Sequence, residues 1–230
     1  VVYGIYLRHL LQEYRCRAAV RNVYPRECGN YCAMMLETLP ALALFAFVTS
    51  VTPGPNNLML MASGANFGFR RTVPHMLGVS LGFVLMAFLV GVGLAGLFQT
   101  YPVAQTALKV ISVVYMLWLA WKIAHAAASK DREVGVSPMT FLQAAAFQWV
   151  NPKAWAMATH AVTLYAPDRS LWAVALVAVI FGAINLPSVS LWTLIGQQLR
   201  RVLTNTRRLT IFNWTMAGLL ILSLAPVLWH

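Results

Sequence analysis

The chain has 230 residues, of which 60% are hydrophobic and only 10% charged, with a formal net charge of +11 at pH 7. An ordinary soluble domain carries about 25% charged residues, so that class is excluded. The apolar residues come in six runs of about twenty, the length that crosses a bilayer as a helix. The fold expected is an all-α membrane protein with six transmembrane helices.

Residues 1–33 stand apart from those runs. They carry Arg8, Arg15, Arg17, Arg21 and Arg26 against Glu13 and Glu27. Leu7, Leu10, Leu11 and Tyr14 repeat at helical spacing, which fits a basic interfacial helix. The alternative is translated upstream sequence ahead of a start at Met34 or Met35, and this second reading is preferred. All three cysteines, Cys16, Cys28 and Cys32, lie here, too few for a closed tetrahedral set, so no metal is expected. Residues 34–230 then form a single six-span domain.

Span one is placed at Leu39–Met61, with Pro53, Gly54 and Pro55 near its middle. Span two, Met76–Phe98, carries Gly78-x-x-x-Gly82 and Ala87-x-x-x-Gly91-x-x-x-Ala95, small residues suited to close helix contact. Span three is Ala107–Ala126, followed by a solvated connection reading "SKDREVGVSP". Span four, Phe141–Leu164, is interrupted by Asn151-Pro152-Lys153. Span five, Leu171–Ile195, is broken at Asn185 and Pro187, either as a kink whose freed carbonyls are satisfied locally or as part of the site lining, and span six is Leu209–Trp229. Tyr101, Trp118, Trp121, Tyr165, Trp172 and Trp229 lie near span ends, at headgroup level. His75 and His125 also fall there and are expected to be interfacial.

The basic residues have a topological meaning. Arg70, Arg71, Lys122, Lys130, Arg132, Arg200, Arg201, Arg207 and Arg208 occupy one set of loops, nine against only Lys109 and Arg169 on the other. By the positive-inside rule the first set is cytoplasmic and both termini face outward. Basic loops on an inner leaflet meet anionic lipid, so no nucleic-acid partner is implied.

Spans one and four are the first members of two three-span halves. A half with an odd number of spans enters the membrane inverted relative to its partner, and matched interruptions in such halves point to a transport site. Proline cannot continue a helix, and hydrocarbon offers a broken backbone no water, so breaks persist only beside protein or a wet cavity. Proline suits the first position of a helix and asparagine the cap before it, so half-helices are expected to start at Gly54-Pro55 and Asn151-Pro152. Helix starts present N–H groups and partial positive charge to a carboxylate. The candidate site is therefore Pro53, Gly54, Pro55, Asn56 and Asn57 facing Asn151, Pro152 and Lys153 across a midplane cavity. Lys153 lies roughly 18 Å from either end of its span, too deep to snorkel easily. It is either held by carbonyls of the broken helix or free to hold a substrate carboxylate. No carboxylate occupies any span. Proton coupling would then fall to Lys153, to the substrate's own amine, or to His160, expected to be buried one heptad beyond Lys153.

"TPGPNN" followed by "GFRR", "GVSLGF", "YMLWLAWKI" and "NPKAW" resemble the lysine exporter and homoserine/threonine resistance family (LysE/RhtB type) of bacterial inner-membrane exporters. The resemblance covers nearly all of residues 36–230 and none of residues 1–33. It implies proton-driven efflux of small amino acids or derivatives, with the cysteine/O-acetylserine branch most similar. It also implies no cofactor, no catalytic residue and a multi-pass location in the inner membrane. The partners are then the amino-acid cargo and the bilayer, with a homo-oligomer left open. Two rivals remain on the residues alone. A passive channel would show flux without coupling. An intramembrane serine protease would use Ser63 in "MASGA", but that motif lacks its leading glycine and span six has no histidine base.

Overall fold

The computed structural model describes residues 25–94, 96, 102–126, 137–203 and 205–225, and every regular element among them is helical. The chain divides into two compact units, residues 1–44 and 45–230. The interfacial stripe expected at Leu7, Leu10, Leu11 and Tyr14 lies outside the described residues. Helix α1 runs Pro25–Val51 and α2 Pro55–Phe67, and the chain bends by 55° between Thr38–Val51 and Pro55–Phe67. Helix α3 spans Phe69–Leu89 and continues through a π turn at Val90–Leu94. Helix α4 is Pro102–His125 and α5 Phe141–Phe147, extended by a 3₁₀ turn at Gln148–Val150. Helices α6, α7 and α8 are Pro152–Tyr165, Leu171–Leu199 and Thr206–Leu222.

Three of these helices are long and apolar enough to cross a membrane, and α1 with α2 makes a fourth if the bent pair is one span. The outward faces of the three carry Leu81, Leu85, Trp121, Trp172 and Val179, all exposed. Water tolerates few such patches and lipid requires them. This is a helical membrane protein.

Proline at α2 and α6 marks helix starts where its fixed φ is already helical. Gly68 joins α2 directly to α3 at φ +81°, a left-handed conformation that a side chain would strain. Arg70 and Arg71 consequently sit in the first turn of α3, not in a loop. The helix begins seven residues before the expected Met76, and His75 changes character with it. Instead of lying at an interface, His75 is 1% exposed within the helix bundle.

Close crossings explain the small residues. A Cβ added to Gly64 would overlap the Thr193 carbonyl of α7, and one on Gly196 would overlap the Met61 carbonyl of α2. Gly78 and Gly82 admit α5 in the same way, against Phe141 and Ala145. The contact role expected for the span-two glycines holds. The expected break in span five does not. Helix α7 runs unbroken through Asn185 and Pro187. Neighbouring hydroxyls bond the backbone locally, Ser188 Oγ to the Ile184 carbonyl at 2.9 Å and Ser190 Oγ to Leu186 at 2.7 Å. A proline inside a membrane helix survives on such local adjustment.

Candidate functional site

Both anticipated interruptions occur, and within the second unit the structure brings them together. The end of α1 must dispose of carbonyls that no further helical turn can meet. The Ser50 carbonyl accepts from Asn57 Nδ2 at 2.7 Å, and the Thr52 carbonyl accepts from the same nitrogen at 2.8 Å. Trp192 Nε1 of α7 donates to the Val51 carbonyl at 3.1 Å. Lys153 Nζ, from the first turn of α6, donates to the Thr52 carbonyl at 2.8 Å, to Thr52 Oγ1 at 2.9 Å and to the Pro53 carbonyl at 3.4 Å. A cation suits this end of a helix, where the dipole is negative. In this conformation Lys153 is held by the broken helix, one of the two arrangements anticipated for it.

The two helix starts differ. Asn151 caps α6 with its own side chain, its Oδ1 accepting from the Lys153 N–H at 3.2 Å. Gly54 caps α2 with no side chain at all. Its backbone is extended, at φ −174° and ψ 178°, so conformation does not demand glycine there. Space does. A Cβ on Gly54 would stand 2.6 Å from Lys153 Cδ and 3.0 Å from its Nζ. Glycine at position 54 is what lets the lysine stem cross to α1.

Asn56 and Gln148 exchange amide hydrogen bonds, Asn56 Nδ2 to Gln148 Oε1 at 2.8 Å and Gln148 Nε2 to Asn56 Oδ1 at 3.2 Å. Gln148 is fully buried, and its Nε2 also donates to the Ala144 carbonyl. A second buried chain links three helices: Ser80 Oγ of α3 donates to Asn185 Oδ1 of α7, and Asn185 Nδ2 donates to Ser50 Oγ of α1. These groups surround a cavity of about 20 Å³, lined by Gly54, Asn56, Asn57, Asn151 and Lys153 among others. That is room for about one water among these polar groups, beside the exposed Thr52 and Pro53.

Of the anticipated residues, Pro53, Pro55 and Pro152 shape the break without lining the cavity. Asn57 braces the end of α1 and Asn56 is committed to Gln148. His160 is corrected: it is exposed, its Nδ1 lies 2.7 Å from the Ala156 carbonyl of its own helix, and it lines no part of this cavity. Two turns beyond Lys153, roughly 10 Å along the axis, α6 no longer faces the break. Ser63 is buried with its hydroxyl 2.9 Å from Thr72 Oγ1 and has no hydrogen bond to a histidine among the described residues. Sequence reasoning missed Thr52, Gln148 and Trp192 as partners, and Asn185 as a definite lining residue. A signal existed for Gln148, since an amide inside an apolar run needs a partner.

Comparison with known proteins follows the same residues. The profile of the LysE type translocator family matches residues 47–230. The cysteine/O-acetylserine efflux protein of Escherichia coli strain K12 is 29% identical over 167 residues, which cover 71% of this chain and 85% of that protein. Its counterpart in Escherichia coli O139:H28 is 30% identical over the same extent, and that of Shigella flexneri serotype 5b is 29% identical. No solved structure matches the chain.

Proposed function

Because the chain belongs to the LysE type translocator family, we propose that it is a secondary transporter exporting small amino acids or close derivatives, of the homoserine, threonine, cysteine and O-acetylserine class. On this reading α1–α2, α3, α4, α5–α6, α7 and α8 are six spans in two inverted halves of the bacterial inner membrane. Both termini face the periplasm and the basic loops face the cytoplasm. The substrate carboxylate takes the uncapped start of α2 and the Lys153 ammonium, and the proton gradient supplies the drive. Of the two coupling candidates, Lys153 and His160, only Lys153 reaches the cavity.

The observation that carries this reading is the placement of Lys153. Its ammonium joins the end of α1 to the start of α6 beside an uncapped helix start, within 3 Å of where a Gly54 side chain would be. A carboxylate arriving there competes with the Thr52 oxygens for the ammonium and loosens the tie between the two broken helices. Binding is thereby coupled to helix movement, which an alternating-access carrier needs and a passive channel does not.

The test is overproduction in a bacterial host, with tolerance to each amino acid and its release into the medium measured together. Release of one class above the empty-vector level supports export. Release that neither saturates nor responds to an imposed pH gradient would turn the reading to a channel. Topology is tested separately with a single cysteine at position 205. Labelling of that cysteine by an impermeant reagent in intact cells would overturn the assignment of the basic loops to the cytoplasm.

A further inference from the structure

An open groove of about 380 Å³ lies where α2 turns into α3, against the last turns of α7. One wall is basic. Arg70 and Arg71, both exposed in the first turn of α3, line it beside Gln197 of α7. Arg200, at the end of α7, brings a third guanidinium to the same place. Its Nη1 lies 3.5 Å from where a Gly68 Cβ would stand, and Gly68 lines the groove. None of these three guanidinium groups has a hydrogen-bond or ion-pair partner among the described residues. The helices that build the groove hold no counter-charge, because no Asp or Glu occurs between Glu37 and Asp131 or after Asp168. The dipole of α3 adds to the cost, since a cation in the first turn faces its positive end. Gln197 contributes further donors: its Oε1 accepts the Phe69 N–H at 2.6 Å, which leaves its two Nε2 hydrogens. The other wall is apolar, made by Phe67, Phe69 and Leu194. Leu194 is 41% exposed, and Leu191, on the same face one turn back along α7, is 48% exposed. The groove therefore opens from a basic end onto apolar surface of the kind that lipid covers.

We propose that this groove holds one anionic phospholipid, with its phosphodiester between Arg70, Arg71 and Arg200 and an acyl chain along Leu194 and Leu191. Three like charges gathered without a counter-ion call for an anion, and the apolar wall calls for a hydrocarbon attached to it. Arginine suits the task because its planar fork meets two phosphate oxygens at once. Basic pockets between membrane helices are where lipid headgroups bind. A free inorganic phosphate would answer the guanidinium groups and leave the apolar wall without a partner. The bound headgroup ties the start of α3 to the end of α7, the helix that α2 crosses closely at Gly64 and Gly196. It offsets their mutual repulsion and so stabilises that end of the bundle. The inference depends on the chain lying in a bilayer and not on which solute it exports.

The experiment uses the full chain purified in detergent, with retained lipid read by native mass spectrometry. Given phosphatidylglycerol and phosphatidylcholine in equal amounts, the wild type should keep one phosphatidylglycerol in preference. Arg70→Gln/Arg71→Gln should weaken that retention about tenfold or more, as expected for lost charge-assisted contacts. Arg200→Gln should weaken it by a smaller factor, and Leu194→Ser should weaken it with every charge kept. Arg207→Gln/Arg208→Gln removes the same charge outside the groove and should leave retention unchanged. Phosphatidylglycerol should also raise the unfolding temperature of the wild type and not that of Arg70→Gln/Arg71→Gln. Equal loss of retention in the two double variants would reduce the groove to diffuse attraction for a basic surface and overturn the site. Retention that survives Arg70→Gln/Arg71→Gln would overturn it as well. So would inorganic phosphate raising the unfolding temperature as much as the lipid does, since that marks a phosphate site with no use for the apolar wall. All the substituted positions are exposed. Should the groove double variant still fail to fold, Arg200→Gln and Leu194→Ser decide the matter, and unchanged retention in both overturns the site.

Discussion

The two breaks begin their second helices with the same device, a proline at the first position, yet they are finished differently. At Asn151-Pro152 the cap residue satisfies the next N–H itself, through Asn151 Oδ1. At Gly54-Pro55 the cap residue has no side chain, and the space beside it is filled by Lys153 from the first turn of α6. One helix start is self-contained and the other is left for something else to meet. Matched interruptions in the sequence therefore conceal a division of labour: α6 supplies the cation, and α2 supplies the open helix end.

That contrast predicts unequal consequences. The largest belongs to Lys153→Met, which removes both the tie to Thr52 and the proposed carboxylate contact. Hydrogen bonds to a charged group are worth about 1.5–3 kcal/mol, so export should fall roughly ten- to a hundredfold while the protein still inserts. Lys153→Arg should be only partly tolerated, because a planar guanidinium cannot reproduce a point ammonium on the clustered Thr52 and Pro53 oxygens. Export of Lys153→Met at the parental rate and affinity would make the lysine structural and the carboxylate site wrong.

Gly54→Ala comes next. The extended backbone accepts alanine, so a purely conformational role predicts no effect. The added Cβ instead meets the Lys153 stem at 2.6 Å, and overpacking of this kind costs about 1–3 kcal/mol. Weaker export with normal folding would support the steric account. Wild-type export would show that the stem simply moves aside.

The amide pair across the breaks sets the third scale. Asn56→Ala leaves the buried Gln148 amide with only its bond to the Ala144 carbonyl, and Gln148→Ala leaves the half-buried Asn56 amide without its partner, each at about 1–2 kcal/mol of stability. The double variant should cost less than the sum of the singles, by about 0.5 kcal/mol or more, measured as unfolding in detergent. Strict additivity would mean that the pair does not couple the two broken helices.

Much of this was readable in the chain because proline acts locally. Pro53, Pro55 and Pro152 remove backbone donors whatever surrounds them, so both interruptions were placed correctly. Which group meets each freed carbonyl is a tertiary matter, and Thr52, Gln148 and Trp192 carry no local mark of their partners. Reading Arg70 and Arg71 as loop charges puts His75 at an interface, whereas α3 starts before them at a glycine with positive φ. His160 was misplaced because heptad spacing preserves a helix face but not the neighbour that face meets. Pro187 misled in the other direction: a proline inside a helix does not break it when the helix around it adjusts.

The smallest effect is expected at the self-contained start. Asn151 is 1% exposed and its side-chain oxygen already receives the Lys153 N–H. Its oxygen is therefore committed to the cap, and only its Nδ2 donors are left to face the cavity it borders. Asn151→Ala removes a cap, at about 1 kcal/mol of stability. Asn151→Ser keeps a capping oxygen and should recover most of that stability. Export by both should stay within about twofold of the parent once expression is matched, a difference below ~0.5 kcal/mol. Unfolding temperatures paired with export rates separate the possibilities. Suppose Asn151→Ala lost export as severely as Lys153→Met while Asn151→Ser, equally stable, lost it too. The capped start would then be a ligand contact in its own right, and the asymmetry between the two breaks would be a feature of this conformation alone.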